Sequence, residues 1–180
     1  MELGAILVIA LRIVVPLIIL RYWFWGGVVA MLLDAADVIL VDLTIVAGLG
    51  DDGFGGYYHQ TDKLLDMYYL AIEMFVAWRW DNPWAKWTAA ALFAFRIVGV
   101  AAFEVTQARI ALFIFPNMFE NWWLYCAFVF QYREQWSPRS WTTTLLPLGI
   151  LLVPKMGQEW LLHYSEAQPW SWTKEHILRV

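Results

Sequence analysis

Four aspartates are spaced to act together. Asp34 and Asp37 are three residues apart, and Asp62 and Asp66 are four apart. On helices each pair shares one face. Between the pairs lies a glycine-rich acidic turn, residues 48–56, holding Asp51 and Asp52. If the two helices run antiparallel about that turn, four carboxylates meet at one level. In an apolar surround such a cluster needs a cation, protons or basic partners. An all-oxygen donor set suits a hard divalent ion, Mg²⁺, Mn²⁺ or Ca²⁺.

Other groups are less specific. Glu159 and His163 are four apart on a helical pattern, a spacing that suits a metal site or a proton relay but specifies neither. The same spacing also fits an interfacial helix end with Lys155 snorkelling. His59, just before Asp62, is a candidate ligand or proton acceptor. The 48–56 turn lacks the lysine and hydroxyl ending of a P-loop, and its acidic spacing is not that of an EF-hand. No Ser-His-Asp order or nucleophile elbow is present. The single Cys126 sits in an apolar aromatic run, which excludes an internal disulfide and a cysteine metal motif.

The elements that must position these groups are greasy. The chain is 61% hydrophobic and 18% aromatic, with thirteen tryptophans and only 16% charged residues. Ordinary soluble domains carry about 25% charged residues. The composition predicts an all-α, polytopic membrane helix bundle forming a single integral membrane domain over residues 1–180, in a bacterial-type inner or plasma membrane. No basic patch points to nucleic acid. Six candidate transmembrane helices are expected, near 3–20, 26–41 (extending to 47), 61–80, 84–102, 109–130 and 142–163. The first reads as a retained helix rather than a signal peptide. The fifth breaks at Pro116-Asn117, and the sixth contains Pro147 and Pro154. Thr61 is placed to cap the third helix, with Asp62 in its first turn. Asp81-Asn82-Pro83 and Ser137-Pro138-Arg139-Ser140 read as helix starts. Tryptophans cluster at these junctions, as in an interfacial aromatic belt. Basic residues divide almost evenly between the two sides, so the positive-inside rule leaves orientation open.

Charges within the apolar segments are costly and point to function by default. They include Arg12, Asp42, Glu73, Arg96, Glu104 and Glu120. The bland alternative is structural pairing between helices, for example of Arg96 with Glu73 or Glu104.

This layout resembles the CDP-alcohol phosphatidyltransferase superfamily. That family has six transmembrane helices and the motif Asp-x2-Asp-Gly-x2-Ala-Arg, followed after a spacer by Gly-x3-Asp-x3-Asp. Asp34-x2-Asp37 and Asp62-x3-Asp66 match its two halves on the second and third helices. Val38, Val41-Asp42 and Tyr58 stand where the family has Gly, Ala-Arg and Gly, and the spacer is longer here. The resemblance implies a metal-dependent phosphotransferase acting on a lipid or polyol alcohol, of phospholipid-synthesis type. Mg²⁺ or Mn²⁺ would be held by Asp34, Asp37, Asp62 and Asp66, with Asp66 as the catalytic base. Arg96, Arg109 and His59 are the candidate substrate-binding residues, the arginines supplying the missing positive charge.

Two other readings compete. One is a non-catalytic accessory subunit of a larger membrane complex, or a homodimer, with buried charges setting helix registry. The other is a cation or proton transporter, suited by intramembrane charges and proline-broken helices, although no inverted repeat is visible. Membrane lipids are partners in every reading.

Overall fold

The structure is a computed structural model, and it describes residues 3–46, 58–108 and 110–161. All regular structure among them is helical. Eight α-helices follow in order: α1 (Leu3–Val14), α2 (Trp23–Ala35), α3 (Asp37–Val46), α4 (Tyr58–Ala77), α5 (Pro83–Thr106), α6 (Ile110–Ile114), α7 (Met118–Tyr132) and α8 (Trp141–Glu159). The chain groups into two compact units, residues 1–76 and 77–180.

Among the described residues two stretches are long and apolar enough to cross a membrane, Leu3–Leu20 and Pro83–Thr106. In their described residues all six expected segments are mainly helical, but length and apolarity support only these two as spans. The reasons are local. α2 stops after 13 residues and α7 after 15, while α4 carries Asp62, Lys63, Asp66 and Glu73.

In the first unit, α1 packs Ala5 and Val8 against Leu40 and Val41 of α3, with Ile9 alongside. Arg12 continues that stripe one turn on, which is why a guanidinium lies inside rather than on the apolar outer face. Pro16 has no N–H for the Arg12 carbonyl, and the chain tightens there into a 3-10 helix, Val15–Leu20. A short turn at Arg21-Tyr22 then reverses it into α2. The approach is close: a Cβ on Gly26 would lie 2.6 Å from the Ile19 backbone nitrogen and 2.7 Å from its Cα. Ala36 separates α2 from α3 at φ −96° and ψ −1°. No glycine or proline announces that joint. α4 begins at Tyr58, so Thr61, expected as its cap, lies inside the helix.

In the second unit α7 is the core helix. Phe119, Trp122, Trp123, Cys126, Ala127 and Val129 are fully enclosed, and α7 packs on both α5 and α8. The Trp122 indole donates to the Ala85 carbonyl at 3.2 Å, satisfying the one polar atom that such a ring buries. Both expected helix starts are present. Asn82 caps α5, its Oδ1 accepting from the Ala85 N–H at 3.1 Å. Ser140 and Thr143 form a capping box on α8. The fifth segment breaks where proline places it, between α6 and α7.

Candidate functional site

The acidic residues do converge, but on an arginine. Arg12 of α1 is 5% exposed in its side chain and, among the described residues, engages the carboxylates of Asp34, Asp37 and Asp66. Its Nη1 donates to Asp37 Oδ2 at 2.9 Å. Its Nη2 donates to Asp66 Oδ1 at 2.5 Å and also to Asp34 Oδ1. Asp37 is nearly enclosed at 8%, while Asp34 and Asp66 keep 30% and 31% of their side-chain surface.

Each element contributes for a local reason. Asp34 closes the last turn of α2. Asp37 opens α3, where the helix dipole favours a carboxylate. The joint at Ala36 lets both turn toward one point. Asp66 comes from α4, which is tied to α1 by Tyr68 donating to the Ile13 carbonyl at 3.1 Å. A cleft lies beside the cluster, lined by Arg12, Pro16, Ala30, Asp34, Leu65 and Tyr69 among others. It has room for roughly one water.

The expected site residues are placed as follows. Asp34, Asp37 and Asp66 are brought together. Asp62 and His59 lie on the first turns of α4, with side chains outside the described residues. Arg109 also lies outside them, as does His163. Arg96 is on α5 in the second unit, with Nη1 3.4 Å from the Phe115 carbonyl at the α6–α7 break. Neither Glu73 nor Glu104 is its partner: among the described residues no carboxylate pairs with it. Glu159 is buried and accepts from Lys155 Nζ at 3.0 Å and from the Asn117 N–H at 3.3 Å. Lys155 is therefore an interior ion-pair partner rather than a snorkelling one.

The residue that sequence reasoning missed is Arg12, read only as one intramembrane charge among many. Its signal was the Ala5–Val8–Arg12 stripe, which puts it on the packing face of α1. With the guanidinium among the carboxylates, the arrangement of the described residues is an arginine clamp, and the fourth expected carboxylate, Asp62, has its side chain outside them. Among the described residues no group of three or more His, Cys, Asp or Glu side chains is placed to hold a metal ion.

No protein-family model, no curated protein and no solved structure matches the chain. The likeness to the CDP-alcohol enzymes rests on the two aspartate pairs alone.

Proposed function

We propose that this chain is a non-catalytic helical subunit of a larger membrane assembly, and that Arg12 with Asp34, Asp37 and Asp66 fixes the register of its first four helices. The observation that carries this reading is the Arg12 guanidinium at the point where phosphotransfer would require a metal. A fork of planar donors engages several carboxylates at once, and a tethered arginine does so without any bound ligand. Membrane embedding is supported by α5. Only 11% of its apolar window is buried, whereas the core helix of a soluble protein would be mostly enclosed. The test is the state of the chain taken from its native membrane in mild detergent. A discrete complex larger than the chain, retained by Asp34→Asn and Asp62→Asn, is expected. A monomer would overturn the reading.

A second reading keeps metal-dependent phosphotransfer to a lipid or polyol alcohol. It is favoured by the convergence of Asp34, Asp37 and Asp66, three of the four motif carboxylates. On this reading Mg²⁺ or Mn²⁺ raises the apparent stability of the wild-type protein, since a ligand that binds only the native state stabilises it. Asp34→Asn/Asp62→Asn would lose that response, and Asp66→Asn would lose turnover of CDP-alcohols. Indifference of the wild type to both ions, with no turnover, removes it.

A further inference from the structure

The second unit ends in a surface whose composition and charge set it apart from the rest of the chain. Two connections build it, the one before α5 and the one before α8. They meet side by side: Asn82 Nδ2 donates to the Pro138 carbonyl at 2.8 Å, and the Trp84 and Trp141 rings pack edge to face at 5.1 Å. Ser137 and Pro138 are buried beneath, so the connections form one fixed face rather than two loose loops.

Large aromatic rings project from that face. Trp78, Trp87, Trp136 and Trp141 are each more than half exposed. In water such rings would be covered. They instead face outward, Trp78 packing edge to face on Trp87 at 5.5 Å. Tryptophan concentrates where a bilayer passes from hydrocarbon to headgroup, because its body is apolar and its N–H needs a polar partner.

Charge points the same way. The face carries four basic side chains (Arg79, Lys86, Arg133 and Arg139) against two acidic ones, Asp81 and Glu134, in a chain of net charge −4. Lys86, Arg133 and Arg139 have no ion-pair partner among the described residues. Arg133 Nη1 reaches only the neighbouring Tyr132 carbonyl, at 3.3 Å. The apolar helix α5 starts from this face at Pro83, so the exposed Arg79, Arg133 and Arg139 and the half-buried Lys86 share with the exposed indoles the level at which a crossing helix leaves the membrane.

We infer that this face is a docking surface for anionic phospholipid headgroups. Lys86, Arg133 and Arg139 take the phosphates, and the four tryptophans set the depth. The inference rests on the membrane reading above but not on the subunit reading. It goes further by naming the lipid class and the end of the unit that binds it. In a bilayer with anionic lipid on one side, the same charges bias which way the chain inserts.

The test uses the full chain reconstituted into vesicles of phosphatidylcholine alone or with phosphatidylglycerol. Lipid retained through purification is counted by native mass spectrometry. The wild-type protein is expected to retain phosphatidylglycerol in preference to phosphatidylcholine. Lys86→Gln/Arg133→Gln/Arg139→Gln is expected to lose at least about tenfold of that preference, each basic group near an anionic surface contributing several-fold. Lys86→Arg/Arg133→Lys/Arg139→Lys should keep it, which also covers the case in which the glutamine variant fails to fold. Equal retention of both lipids by the wild type overturns the inference, as does preference surviving in the folded glutamine variant or lost in the charge-keeping one. A chain that does not float with either kind of vesicle would instead remove the membrane reading itself.

Discussion

Replacing Arg12 by methionine is the sharpest perturbation of the first unit. Methionine keeps much of the side-chain volume and removes all of the charge. Three charge-assisted hydrogen bonds disappear, to Asp34, Asp37 and Asp66. Their costs are unequal, because their exposures are. Asp37, with 8% of its side chain exposed, is left as a nearly enclosed carboxylate without the Arg12 guanidinium. Breaking a buried pair in this way costs about 3–5 kcal/mol. Asp34 and Asp66 are open enough to be hydrated, and each pair contributes about 0–1 kcal/mol. The expected loss for Arg12→Met is therefore about 3–7 kcal/mol. At roughly 2–4 °C per kcal/mol for a chain of this length, Tm falls by about 10–20 °C.

Thermal unfolding followed by intrinsic fluorescence in a lipid-like detergent reads this directly. The cycle that isolates the interaction adds Asp37→Leu. Removing both members of a buried pair is often nearly neutral, so the double variant should recover most of what Arg12→Met loses, with a coupling of at least about 2 kcal/mol. Arg12→Lys should fall between, since an ammonium is a point charge and cannot serve three carboxylates as a fork does. An Arg12→Met protein within about 0.5 kcal/mol of wild type would refute the reasoning. So would a double variant whose loss is the sum of the two single losses.

Three further outcomes are expected from the same assay. Gly26→Ala should cost about 1–3 kcal/mol by overpacking, because its Cβ meets the Ile18 and Ile19 backbone; a neutral result would show that the turn yields freely. Gly149→Ala should be neutral or stabilising by up to about 1 kcal/mol, since nothing lies within 4 Å of that Cβ and alanine is the better helix former; a loss would mean that the face of α8 is occupied. Asn82→Ala should cost about 1–2 kcal/mol, removing both the α5 cap and the bond to the Pro138 carbonyl; Asn82→Asp should retain the cap and lose only the second bond.

Local chemistry was legible in the sequence, and pairing between helices was not. Asn82-Pro83 and Ser140 start helices because their side chains and fixed φ act within a few residues. Pro116 stops one for the same kind of reason. The joint at Ala36 has no such marker, and it arises where α2 and α3 both turn acids toward α1. Tryptophans show the limit differently. Trp80 sits in a junction rich in indoles and reads as part of the belt. Yet it is buried, 6.1 Å from the Trp123 ring and 5.3 Å from that of Phe130. Composition places an aromatic near an interface, whereas the rotation of the chain decides whether it faces lipid or core. The convergence of Asp34, Asp37 and Asp66 was expected from spacing. Their partner was not, because Arg12 lies on another helix and its burial follows from the packing of Ala5 and Val8.

That partner changes what an acidic cluster in an apolar chain signifies. Carboxylates gathered among apolar helices must be offset by positive charge or protons, and the fold chooses among the available cations. An arginine held on α1 is always present at the site, and its fork geometry matches carboxylates better than a single ammonium does. A free divalent ion has to displace it, losing its own hydration and leaving a guanidinium to be accommodated elsewhere in apolar surroundings. Geometry thus weights the balance toward the clamp. Two aspartate pairs at enzyme-like spacing are the expected trace of a metal site only where no arginine on a neighbouring apolar helix reaches them first.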